Sequence, residues 1–153
     1  MRTFQIGLSL IVGLFMLMFA NEVNGQRTRH IGNITGAFGS SIEFREIVGQ
    51  GSPRVEILIS DKHSMRNGSH AYDHRTWPQF VSMFQKALQA FHSIGPGERE
   101  TLKPVSGISM IIDGAHIFIA SASSGALVML IQPEVAQFKL LIERVDEQFK
   151  PKR

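Results

Sequence analysis

The segment from Asp61 to Arg75 gathers more reactive side-chain types than any other part of the chain, holding His63, His70 and His74, three of the six histidines, together with Asp61 and Asp73. Imidazole nitrogens and carboxylate oxygens satisfy zinc or another divalent transition metal without any thiolate, so these five residues are the candidate metal ligands. Their spacing gives the idea little support. His70 and His74 stand four apart and share a face only on a helix, whereas Gly68 and Ser69 beside them favour a turn. The segment reads as a long polar loop between a strand and a helix, and long ordered connections carry function more often than short ones. Ser64 or Ser69 with one of these histidines and one of these aspartates supplies the ingredients of a Ser-His-Asp triad. A triad is defined by geometry, however, and nothing here forms a nucleophile elbow.

Other chemistries find less. Glu43, Glu46 and Glu56 could pair as acids for glycoside hydrolysis, but on alternating strands they occupy the expected outward positions. Gly36, Gly39, Gly49 and Gly51 do not lie between a strand and a helix start, as a dinucleotide site requires, and there is no phosphate-cradling Gly-Lys-Ser/Thr loop. Phe44 and Phe118, with Arg45 and Arg54 nearby, offer a sheet-face platform of the kind that stacks on bases; the export signal described next makes nucleic acid an unsuitable partner. No residue is nominated as catalytic, and no cofactor is implied apart from the alternative of a bound zinc or similar ion.

Arg2, the apolar run Ile6 to Ala20 and the polar exit Asn21 to Gly25 have the layout of a secretory signal peptide. The run is shorter than the roughly 20 residues that a bilayer span needs, and no Lys or Arg follows it as a stop. Cleavage after Gly25 is expected, with Ala20 as the second choice, leaving one domain over residues 26–153 and no transmembrane span. The 153-residue chain has no cysteine, which removes disulfides, thiolate metal sites and thiol nucleophiles. Cysteine-free export fits a secreted or periplasmic protein. The net charge of +3 survives cleavage, because the leader takes away one Arg and one Glu, and basic residues gather at both ends of the remaining chain, at Arg27 and Arg29 and at Lys150, Lys152 and Arg153. Frayed, solvated termini account for them.

Two stripes predict helices that would position the loop. Trp77, Phe80, Val81, Phe84, Leu88 and Phe91 recur at three- and four-residue steps after a start marked by Thr76, Pro78 and Gln79, which match a capping box, and Gly95-Pro96-Gly97 ends the run. Val135, Phe138, Leu141, Ile142, Val145 and Phe149 form the second stripe between Pro133 and Pro151. Alternation over 42–45 and 55–59 predicts a hairpin, Asp113-Gly114 predicts a two-residue turn between strands 108–112 and 115–122, and the apolar run 126–131 reads as a central strand. Residues 28–38 add a short edge strand only if Gly32, Gly36 and Gly39 permit it.

The expected fold is therefore α+β, an antiparallel sheet of five strands, or six with the edge strand, and two helices in the order ββαβββα as a two-layer sandwich. That order resembles profilin-like folds, including longin and roadblock domains, and a strand-rich unit closed by a helix also resembles single-strand-binding folds of the Whirly kind. No family motif accompanies either likeness, so neither implies an activity. The stripes of the two helices align at a constant offset of 54, a weak sign of duplication, since amphipathic helices match readily. The functional expectation is a small exported, non-enzymatic binding or interaction module. Its partner is an unidentified protein or envelope component, and homodimerisation through a sheet edge is open. The alternatives are the histidine-loop metal binder and a small secreted hydrolase.

Overall fold

The computed structural model describes residues 25–49 and 51–149. The expected signal peptide, Gly25 excepted, and the basic tail after Phe149 lie outside the described residues. Among those described, no helix is long and apolar enough to cross a membrane.

Eight strands and two α-helices follow one another as β1 (Arg27–Thr35), β2 (Ser41–Val48), β3 (Arg54–Asp61), β4 (Arg66–Tyr72), α1 (Trp77–Ser93), β5 (Arg99–Thr101), β6 (Ile108–Asp113), β7 (Ile117–Ser121), β8 (Leu127–Leu130) and α2 (Gln132–Phe149). A single 3-10 turn, Ala37–Gly39, links β1 to β2. The class is α+β, but the single five-stranded sheet gives way to two four-stranded antiparallel sheets, ordered β1-β2-β3-β4 and β5-β6-β7-β8. The chain is thus a ββββα unit written twice, and the order ββαβββα is corrected. Three strands make the difference. Residues 27–35 do form an edge strand, with a register shift between His30 and Gly32. Half of the supposed loop is β4, and three exposed residues form β5.

The two sheets and two helices share one core. Phe44, Ile57 and Tyr72 from the first sheet and Met110, Ile119 and Val128 from the second are fully buried, as are Trp77, Phe80 and Phe138 from the helices. Trp77 stacks on Phe80 at 5.4 Å between ring centroids, and Phe84 meets Phe138 edge-on at 4.9 Å, so that each helix stripe finds the other. The Trp77 indole N–H donates to Asp146 on α2 at 3.2 Å, giving its polar edge a partner inside the packing. Residues 26–149 contain every described strand, both helices and the whole of this core.

Three local expectations are replaced. Thr76 does not cap α1. Its own backbone is helical and its side chain makes no cap bond to the helix. The cap is Asp73, whose Oδ1 accepts from the Thr76 N–H at 2.9 Å while the Asp73 N–H donates to Thr76 Oγ1 at 3.0 Å. That is a reciprocal capping box placed three residues earlier. At the β6–β7 hairpin the connection has three residues, Gly114 to His116, because Asp113 Oδ1 accepts from the N–H groups of both Ala115 and His116. Finally, β8 is an edge of its sheet. Its apolar character has another cause: the chain at Gly36 runs against it, so closely that a Cβ there would stand 2.6 Å from the Met129 carbonyl oxygen. The Leu127 N–H donates to Asp61 Oδ2 of the first sheet at 3.3 Å.

Candidate functional site

Because residues 66–72 are a strand, the five metal candidates are driven apart. A seven-residue strand spans about 23 Å at roughly 3.3 Å per residue, which puts the turn holding His63 and the turn holding His74 at opposite ends of β4. His63 lies exposed in the β3–β4 turn. His74 lines a cleft beside Trp77, Pro78 and Phe149 at the other end. Asp73 is the α1 cap, its carboxyl held below the ordinary range chiefly by the N–H groups of Thr76 and Arg75. No three His, Asp or Glu side chains among the described residues come together as a metal-holding group.

Asp61 and His70 point inward and are buried, and each ties the two sheets together. Asp61 Oδ2 accepts the Ser64 hydroxyl at 2.7 Å and the Leu127 N–H of β8 at 3.3 Å, while Oδ1 accepts the His63 and Ser64 N–H groups at 3.0 and 3.1 Å. The Ser64 hydroxyl is the largest cause of a carboxyl pKa below the ordinary value, with the backbone donors adding to it and burial opposing. His70 Nδ1 lies 3.1 Å from the Ser106 carbonyl oxygen, which can only accept, so Nδ1 carries a proton. In the neutral ring, Nε2 then accepts the Ser121 hydroxyl at 2.9 Å. Burial lowers the His70 pKa and so favours this neutral form, while the Ser106 carbonyl acts in the opposite direction.

A serine hydroxyl donating to a histidine whose second nitrogen is fixed by an acceptor is the arrangement of a nucleophile and its base. It involves neither serine named from the sequence: Ser64 is bound to Asp61, and Ser69 faces outward to donate to Glu56 Oε1 at 2.6 Å. The pair is also sealed. Ser121 is 1% exposed and its oxygen is crowded by the Ser123 and Ser124 hydroxyls at 3.2 and 3.0 Å. A Cβ at Gly68 would run into the Ser121 hydroxyl, and one at Gly107 would come within 2.7 Å of His70 Nδ1. Both residues are buried and their hydrogen bonds run between the two sheets, which makes the pair an inter-sheet tie.

The outer faces of the two sheets differ in kind. On the first, the outward residues of β2, β3 and β4 are mainly polar and paired. Glu43 accepts from Arg45 Nε at 2.7 Å and from Nη2 at 3.0 Å, and lies 2.9 Å from His30 Nδ1. The Arg45 hydrogen bond is the largest cause that lowers the Glu43 pKa. On the second sheet, register sets Ile111, Phe118 and Met129 in one row and Ser109, Ala120 and Leu127 in the next, all on the outward face. The helices pack on the other face, where Ile108, Met110 and Ile112 are fully buried. At one end of the apolar rows lie Arg99, Asp113 and His116, with the Arg99 guanidinium 6.0 Å from the centre of the Phe118 ring. Along the β8 edge, Phe38 stands over a cleft of about 210 Å³ that is also lined by Phe118, Leu127 and Met129, with His63 and Asp61 at its margin.

Phe118 was visible from the sequence as a strand aromatic, and its suggested companion Phe44 is fully buried on the inner face. Ile111, Leu127 and Met129 carry no signal of their own, because both faces of these strands are apolar. Comparison of the chain with known protein families, with curated proteins and with solved structures finds no match.

Proposed function

We propose that the protein is a small exported interaction module without catalytic activity, and that its contact surface is the outer face of the second sheet, where its first partner is another copy of itself. The observation that carries the reading is the contrast between the two outer faces. An antiparallel sheet folds well with one face packed and one face wet, as the first sheet does, so the fold does not require Ile111, Phe118, Leu127 and Met129 to be apolar. An apolar patch with a polar rim is the ordinary signature of a protein contact. The rim supports self-association in particular. Arg99 and Asp113 are cross-strand neighbours on that face, so the rim carries both signs of charge and a second copy of the same face meets no excess of like charge.

Sedimentation equilibrium of residues 26–153 tests this. A concentration-dependent dimer is expected, weakened about tenfold or more by Phe118→Glu, which buries two like charges at the symmetric contact without touching the core. A chain that stays monomeric up to about millimolar concentration, where even a weak interface associates, sinks the reading. So does a dimer that Phe118→Glu and Met129→Lys leave unchanged.

A further inference from the structure

Three turns meet at one end of the molecule. Gly39 faces the Lys62 side chain, with 3.7 Å between a Cβ built on the glycine and Lys62 Cδ, which sets the 3-10 turn beside the β3–β4 turn. The Arg66 guanidinium lies against Gly125 of the β7–β8 turn. Phe38 and Met65 sit at the tips of the first two turns. They are 80% and 89% exposed, the highest values among the exposed large hydrophobic residues described. Both have a positive φ, 59° and 56°, a region sparsely populated by residues with a Cβ, and strain of this kind persists where surrounding structure enforces it. The turn residues 36–40, 62–65 and 122–125 contain no acid, but they do contain Lys62 and His63, with Arg66 directly behind. Asp61, at the base of the β3–β4 turn, is buried and accepts from five donors: the Ser40 and Ser64 hydroxyls and the N–H groups of His63, Ser64 and Leu127.

We infer that this end docks on the surface of an anionic phospholipid bilayer, with Phe38 and Met65 inserted to the depth of the acyl boundary and Lys62 and Arg66 at the level of the headgroups. The two halves of that arrangement reinforce each other. Apolar tips without cations would not select for charge, and cations without apolar tips would be held only by a field that salt screens. The charge favours lipid over a protein groove: Lys62 and Arg66 flank the apolar tips and the exposed turn residues include no acid, which matches a continuous anionic plane. The docking end adjoins the apolar sheet face at Phe38, but it does not depend on that face pairing with a second copy.

The test is vesicle flotation of residues 26–153, using vesicles of phosphatidylglycerol and phosphatidylcholine in equal parts and vesicles of phosphatidylcholine alone. Binding to the anionic vesicles is expected, falling by about tenfold for each of Phe38→Ser and Met65→Ser and by a similar factor for Lys62→Glu with Arg66→Glu. Because Phe38 and Met65 project into solvent, their replacement leaves the fold intact, which a thermal melt verifies. The basic residues near both termini are unchanged in every variant. No binding to the anionic vesicles overturns the inference, and so does binding that the tip variants retain in full, since the termini would then carry it. Equal binding to the neutral vesicles overturns the assignment of an anionic surface.

Discussion

Replacing Asp61 with alanine tests whether this residue is a structural tie or a ligand. Its carboxylate accepts three short hydrogen bonds, from the Ser64 hydroxyl at 2.7 Å and the His63 and Ser64 N–H groups at 3.0 and 3.1 Å, and two longer ones, from the Leu127 N–H at 3.3 Å and the Ser40 hydroxyl at 3.4 Å. Hydrogen bonds to a charged group contribute about 1.5–3 kcal/mol each in isolation, but donors that water can reach recover much of that when the acceptor is removed. The donors of His63 and Ser64 lie in an exposed turn and are of this kind. The Leu127 N–H and the charged Ser64 contact recover less, so the net loss for Asp61→Ala is about 3 kcal/mol. For a domain of this size that corresponds to a fall in Tm of about 10–15 °C. Urea denaturation is the assay: the midpoint should move with the slope unchanged. Acid adds a second signature. The carboxyl pKa is lowered in the folded chain from an ordinary 3.8, so its stabilisation is complete above that value and is lost as pH falls through the folded pKa. The wild type should lose this increment in acid and Asp61→Ala should not. A loss below about 1 kcal/mol, within the range of ordinary surface substitutions, with the same acid response in both proteins, would refute the assignment of Asp61 as a tie.

His70 should show its own signature at milder pH. Its pKa is lowered from 6.5, so the stability linked to its neutral form is fully present above 6.5 and is lost as pH falls through the folded value. Melting temperatures of the wild type measured from pH 7 to pH 5 should therefore fall more steeply than those of His70→Gln, and parallel curves would show that His70 is not buried as described. Gly68→Ala should destabilise by about 2 kcal/mol through collision with the Ser121 side chain. Ser121→Gly in the same chain should restore part of the loss, and a strictly additive double variant would remove the claim of contact.

The helices were legible because their stripes bury against a partner at each step, as Trp77 and Phe84 do against α2 and Phe80 does against Tyr72 of β4. Strand β4 was not. Its inward residues are Gly68, His70 and Tyr72, of which Gly68 makes room for Ser121 and His70 bonds to it, so steric fit and polar pairing stand where the alternation rule looks for Val or Ile. Its outward residues Asn67 and Ser69 gave the same polar impression. The apolar edge strand β8 misled in the opposite direction, since hydrophobicity reports cover, and here the cover comes from the turn at Gly36 and from Asp61 rather than from a flanking strand. In β6 and β7 both faces are apolar, so composition could not tell Ile112 in the core from Ile111 outside it. Only register separates them. The histidine segment drew attention for its side-chain types, yet the alternation of a strand divides it between two faces and two ends.

The duplicated architecture explains why the conspicuous polar residues and the candidate contact surface fall in different places. Each unit is four antiparallel strands and a helix, and each leaves an inner face to be closed by the other. Asp61 and His70 belong to the first unit and reach across to Leu127 and Ser121 of the second. Once committed there, neither has spare valence for a ligand. The first unit's outer face is satisfied by its own pairs, such as Glu43 with Arg45. Among the described residues, the second unit's outer face carries apolar rows in place of such pairs. Repeats with the same fold but outer faces of opposite character cannot owe that character to the fold, and in the function proposed above the difference reflects what binds there. The consequence is a separation of effects: changes at Asp61 or His70 should alter stability while leaving the surface chemistry intact, and changes at Phe118 or Met129 should alter association at nearly constant stability.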